Sequence, residues 1–394
     1  MAERKSLATF RANNDERTPF DDDENPENIN VYAEKSAQKQ GGGVKPPPDR
    51  PIGAELLHPE ANGNRRWLKR IYDPAPAAAE LASDDFEGPG QDKLVARTKA
   101  LRQMADDPML GWRPMIMATD AMIGDLDALA ATAPNFRRLF DIVLAAARAS
   151  RHAAMPLRLP PILLVGPPGA GKTRAAYAIA GALGTSVEKV PVTLQTGAGV
   201  LSGLDWTWRT PSMGAVAKAL LATKTASPIV IIDEIDKSCP RSEYGQLLDP
   251  LHDLLEVDTA REFEDEYLKM PLASDALLWL ATANDIDAIP APILDRMLVI
   301  QIDQPNRHEM GVILEAMIQA AMKRWGDWFP AKIDVDAATL AALRVIHPRA
   351  ARRIIDLAVG FAVAAGRRAV LPEDVERARV ITIGLTTKRK IGFL

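Results

Sequence analysis

The sequence predicts an α/β protein: a parallel sheet with helices on both faces, followed by a small all-helical unit. Three observations carry this. Short apolar runs alternate with helical stretches from about residue 160 to residue 304, as crossover-linked strands require. Most of these runs are free of charge, which suits strands buried on both faces. Past Gln304 only helical spacing continues.

Composition narrows the class further. Of 394 residues, 47% are hydrophobic and 25% charged, the usage of a globular chain. The formal net charge of −4 gives the whole chain no general attraction for nucleic acid or an anionic membrane. A single cysteine, Cys239, excludes an intrachain disulfide, and with five scattered histidines it excludes a Cys-rich zinc module. The N-terminus has no apolar signal region and no run reaches the roughly 18 apolar residues of a spanning helix. A cytoplasmic location, with neither export nor membrane insertion, is expected.

Along the chain, residues 1–90 are rich in Asn, Asp, Glu, Gly and Pro and are expected to be a mostly disordered arm. Within it, Leu56, Leu57, Trp67, Leu68 and Ile71 could dock a short element. Residues 91–157 are read as a helical lead-in. There the stretch from Asp92 has helical spacing, and Phe136, Leu139, Phe140, Val143, Leu144 and Ala147 draw one apolar stripe. Residues 158–305 carry the sheet, with strands expected at 161–165, 188–193, 228–232, 276–282 and 298–302. Residues 306–394 are read as a helical lid, with helices at 306–325, 336–346, 349–366 and 372–380 and a basic then apolar tail.

Directly after the first strand stands Gly166-Pro167-Pro168-Gly169-Ala170-Gly171-Lys172-Thr173, followed by the helical run RAAYAIAGAL. This is G-x-x-x-x-G-K-[ST] between a strand and a helix, the context the phosphate-binding P-loop requires. Its glycines let backbone N–H groups face phosphate oxygens at a helix N-terminus. Lys172 is expected to reach the β- and γ-phosphates of ATP, and the Thr173 hydroxyl to ligate Mg²⁺. The strand ending at Ile232 runs into Asp233-Glu234. Asp233 is expected to hold the Mg²⁺ hydration shell and Glu234 to polarise the attacking water.

GPPGAGKT together with IIDEIDK resembles the AAA+ ATPases, and further motifs resemble the ATPase module of Lon proteases. These are Phe263-Glu-Asp-Glu-Tyr267-Leu, Ala281-Thr-Ala-Asn284, and Ile289-Pro-Ala-Pro-Ile-Leu-Asp-Arg296-Met. The resemblance runs from about Leu159 to Arg353. It implies that Asn284 is a sensor of the lytic water or γ-phosphate and that Arg296 is an arginine finger acting on a neighbouring subunit. A ring, in this family a hexamer, is implied with it. In His347-Pro-Arg349-Ala-Ala-Arg352-Arg353 the resemblance is to a second sensor, with Arg349 preferred over Arg352 and Arg353.

Two departures from Lon stand out. Residues 354–394 are too few for the Lon peptidase domain that follows the lid, and no H-E-x-x-H signature is present, so no peptidase is expected in cis. At the position of the Lon pore loop the chain has Trp206 and Trp208, followed by Arg209 and Thr210 in place of the usual hydrophobic residue and glycine. These tryptophans are a candidate grip on extended polypeptide or, equally, interface or core residues. The tail Ile391-Gly392-Phe393 resembles docking elements for a separate peptidase, although a tail packed on its own lid explains it as well. The leading expectation is an ATP hydrolase that remodels or unfolds a protein partner. A nucleotide-switched assembly module and a DNA-associated ATPase are the alternatives, with nucleic acid ranked well below protein.

Overall fold

The computed structural model describes residues 47–60, 65–83, 91–194, 197, 199–205, 210–238, 247–329, 340, 341 and 343–387. Strands β1 (Glu55–Pro59) and β2 (Arg65–Arg70) lead to helices α1 (Pro74–Leu81) and α2 (Gln91–Ala105). Strand β3 (Trp112–Pro114) then completes an antiparallel sheet in the order β1-β2-β3. Ordered structure therefore begins before residue 92, which corrects the extent of the expected arm, and the expected helical lead-in contains a strand. The physical reason is where the burial comes from. Residues 47–83 are too polar to form a core of their own, but Ile71, Tyr72 and Ala77 join the core of the large sheet. Lys69, fully buried, pairs with Asp275 at 2.9 Å and Glu55 at 3.3 Å. Ordering the segment is offset by burial against another part of the chain, a gain that local composition does not register.

Helices α3 (Asp120–Thr132) and α4 (Arg137–Ala153) follow. The Thr119 hydroxyl caps α3 by accepting from Met122 N–H, and α4 buries the stripe Leu139, Phe140, Val143, Leu144 and Ala147. Next come β4 (Ile162–Val165), α5 (Lys172–Leu183), β5 (Val187–Pro191), α6 (Ala215–Ala222) and β6 (Ile229–Asp233). The hairpin β7 (Glu264–Asp265) and β8 (Met270–Pro271) precedes β9 (Leu278–Ala283) and β10 (Leu298–Gln301).

Strands β10-β4-β9-β6-β5 form one parallel sheet in that order. Alternate side chains explain its apolar strands. Leu163, Val165, Val230, Ile232, Trp279 and Ala281 point into a core shared with α6 and the N-terminal elements. Ile162, Leu164, Ile229, Ile231 and Leu280 point into the opposite core, shared with α3, α4 and α5. The expected α/β class and all five strands of the sheet are present.

Among the described residues, the C-terminal helical unit, the expected lid, contains α7 (Arg307–Lys323), α8 (Pro348–Ala364) and α9 (Pro372–Thr387), packed around a third core that includes Leu314, Ile354 and Ala358. Helix α7 opens with a reciprocal capping box between Asn306 and Glu309. Of the expected helix at 336–346, residues 336–339 and 342 lie outside the described residues, while Leu340, Ala341 and Leu343 are helical. No described helix is long and apolar enough to cross a membrane.

Candidate active site

The C-terminal ends of β4, β6 and β9 meet at one edge of the sheet, where open α/β sheets place their ligands. From β4 the chain enters the glycine-rich loop. Gly166 is held against neighbouring backbone: its N–H donates to the Ala283 carbonyl at 3.1 Å, and a Cβ there would stand 2.1 Å from the Ile302 carbonyl oxygen. Gly169 and Gly171 take φ of +80° and +96°, values that residues with a Cβ rarely adopt, and the chain turns through them into the first turn of α5.

Lys172, the first residue of α5, is buried, with 7% of its surface exposed. Its Nζ donates to the carbonyls of Gly166 at 2.7 Å and Pro167 at 3.0 Å, and to Asn284 Oδ1 at 3.0 Å. Burial pulls the ammonium below its ordinary pKa, with Asp236, Asp233 and Glu234 opposing that shift.

The Thr173 hydroxyl donates to Asp233 Oδ1 at 2.6 Å, and the Thr282 hydroxyl donates to the same oxygen at 2.7 Å. Lys189 pairs with Asp233 Oδ2 at 3.1 Å. Burial alone would raise the Asp233 carboxyl, but the hydrogen bonds from Thr173, Thr282 and Lys189 outweigh it and hold the group below its ordinary value. Glu234 adopts φ of +58°, a left-handed conformation unusual for a side chain with a Cβ, while its N–H donates to Thr282 Oγ1 at 3.0 Å. Strain of this kind persists where surrounding bonds fix it.

Thr282 and Lys189 were not singled out from sequence. For Thr282 the signal was available: it lies within the Ala281-Thr-Ala-Asn284 motif, two residues before the expected sensor. Lys189 lies opposite Ile231 in the β5–β6 register, and only the sheet order brings its ammonium to Asp233.

Arg296 follows the short helix Ala291–Leu294. Its guanidinium forms an ion pair with Glu256 at 3.1 Å and donates to the Pro292 carbonyl at 2.9 Å. Arg349 is exposed in the first turn of α8, where its N–H donates to His347 Nδ1 at 3.3 Å. Arg352 instead faces Asp356 at 3.9 Å, in a crevice that Arg174 and Arg324 also line, and Arg353 is exposed. Trp206, Trp208, Cys239 and the tail Ile391, Gly392 and Phe393 lie outside the described residues.

The stem of the tryptophan loop is described. Leu204 and Ser212 bridge antiparallel, and the buried Asp265 accepts N–H bonds from Gly214 at 2.9 Å, Tyr267 at 3.1 Å and Leu268 at 2.9 Å. Burial pushes the Asp265 carboxyl up to about 6 despite these bonds.

A strand, a glycine-rich turn and a helix starting at a buried lysine, with an acidic pair on the next strand but one, define the class of an AAA-type ATPase module. Residues 162–304 match the family described as "ATPase family associated with various cellular activities (AAA)". Within that class the module is Lon-like. It is 38% identical over 139 residues to the mitochondrial Lon protease homolog of Schizosaccharomyces pombe, a match covering 35% of this chain and 13% of that protein. It is 37% identical over 141 residues to Lon protease 1 of Borreliella burgdorferi, covering 36% of this chain and 17% of that protein. The chain thus spans less than a fifth of the length of these curated relatives. Among solved structures it is similar to the S. cerevisiae Hsp104:casein complex, at 14% identity and a TM-score of 0.48, over 62% of this chain and 48% of that one.

Proposed function

We propose that the chain hydrolyses ATP to ADP and phosphate and couples the cycle to remodelling or unfolding of a protein partner, acting as a ring, which we take to be a hexamer. The observation that carries the reading is the convergence of Lys172, Thr173, Asp233, Glu234 and Asn284 at one sheet edge beside a glycine-rich loop. The loop from Gly166 through Pro167, Pro168, Gly169 and Ala170 to Gly171 fits a phosphate chain, because its backbone carries no side-chain bulk at the three glycines and it opens a 12-residue helix.

Thr173 and Asp233 offer only oxygen donors within hydrogen-bond distance of each other, a set suited to Mg²⁺, and would hold that ion. Bound Mg²⁺ would neutralise charge on the phosphate oxygens. Lys172 contributes a buried cation for the β- and γ-phosphates. Glu234, held by Thr282, orients and polarises the attacking water, while Asn284, oriented by Lys172, presents its amide to the water or the γ-phosphate. Arg296 stabilises transition-state charge in a neighbouring subunit, and Arg349 reaches the nucleotide from the lid. Trp206 and Trp208 provide the grip on polypeptide.

Hydrolysis by the purified chain with Mg²⁺, measured with and without an unfolded protein, tests the reading. Turnover that rises with unfolded protein supports it. Turnover unchanged by protein but raised by DNA would favour the nucleic-acid alternative, and absence of turnover at every protein concentration would remove the hydrolase reading.

A further inference from the structure

The turn that starts α8 carries a residue to which the sensor reading gives no role. His347 is the N-cap of α8, and its Nδ1 accepts from Arg349 N–H at 3.3 Å. Its Nε2 lies 3.3 Å from the carbonyl oxygen of Pro168, in the glycine-rich loop 179 positions away. A carbonyl only accepts, and Nδ1 is already accepting. One form of the ring satisfies both contacts: neutral imidazole with its proton on Nε2, donating to Pro168.

The ring also packs against Gly169. A Cβ built there would stand 2.1 Å from His347 Cε1 and 2.6 Å from Nε2, so the imidazole occupies the space that a side chain at residue 169 would need. The lid therefore touches the phosphate loop through one side chain in two ways, by a hydrogen bond and by close packing on a bare glycine.

The geometry points to His347 as a positioning residue that ties the lid to the phosphate loop and, through the same ring, sets the first turn of α8 from which Arg349 projects. It rests on the nucleotide reading above and deepens it, because the tie closes the lid over the loop that cradles the phosphates. Loss of the tie speeds nucleotide release and raises KM, with kcat little changed.

The test uses two variants of the full chain, His347→Ala and His347→Asn, with Mg²⁺ and a fluorescent ATP analogue whose release is followed by stopped flow. Asparagine is a strong N-cap but too short to reach Pro168, so it restores the helix start and not the tie. The expected result is release about fivefold faster in both variants, the size of one net hydrogen bond, with His347→Asn melting like wild type. Release at the wild-type rate in His347→Asn would reduce His347 to a cap and overturn the inference, as would wild-type release in both. A wild-type chain that binds no analogue would instead overturn the nucleotide reading, and the inference with it, a failure visible before any variant is compared.

Discussion

Lys172 Nζ stands 3.0 Å from Asn284 Oδ1, so the first residue of the phosphate-loop helix orients the amide at the end of β9 across 112 positions of chain. The two residues are expected to fail differently. Lys172→Ala removes a buried cation and leaves the Gly166 and Pro167 carbonyls without their donor, and nucleotide affinity should fall by at least about 100-fold. Asn284→Ala should retain affinity and lose on the order of 10²-fold in kcat, the scale of one donor to a transition-state oxygen. Equilibrium binding and steady-state hydrolysis on both variants separate the outcomes; equal loss of affinity in the two would contradict the division of roles.

Thr282 donates to Asp233 and accepts from the Glu234 N–H, so it fixes both acidic residues at once. Thr282→Val keeps the volume but leaves the Glu234 N–H without this acceptor in its left-handed turn. A loss of about 1–3 kcal/mol in stability is expected, along with a drop in kcat of about tenfold or more at nearly unchanged KM. Thermal melting and a full hydrolysis curve check the pair of effects.

Arg296 is engaged with Glu256 and the Pro292 carbonyl within its own chain. If it serves a neighbour, Arg296→Ala should lower turnover by about 10³-fold where wild type is assembled, and should match wild type where dilution has separated the chains. Hydrolysis rates across a dilution series, read beside sedimentation, test this. A fully active monomeric wild type would remove the trans role.

Asp265 gives a pH signature at the stem of the tryptophan loop. Its ordinary value is 3.8 and burial raises it to about 6, so between those values the folded chain holds a proton that the unfolded chain has released. Its contribution to stability is therefore fully present below about pH 4 and is lost as pH rises through about 6. Asp265→Asn cannot titrate, and its amide either meets the Gly214 N–H with a second donor or gives up the other two bonds. The melting-temperature gap between wild type and variant should be wider at pH 5 than at pH 7.5. A gap that widens toward neutral pH would contradict the raised carboxyl.

The phosphate loop and the acidic pair were legible in sequence because the chemistry there fixes residue type and spacing within a few positions. The sheet was legible because strands covered on both faces must be apolar throughout. The N-terminal strands were not, since β1 and β2 depend on Ile71, Tyr72 and Lys69 packing against distant residues such as Asp275. Lys189 and His347 escaped for a related reason. Their partners, Asp233 and Pro168, come from other elements, and neither residue stands in a spaced motif that marks its contact.

The central claim is that Glu234 activates water at a site that binds ATP through Lys172 and Thr173. Glu234→Gln tests it most directly, with ATP binding and hydrolysis measured on the same preparation. The expected result is affinity within about threefold of wild type and turnover reduced by at least about 10²-fold, since the carboxylate base contributes on the order of 10²–10⁴. Wild-type turnover in Glu234→Gln would contradict the account.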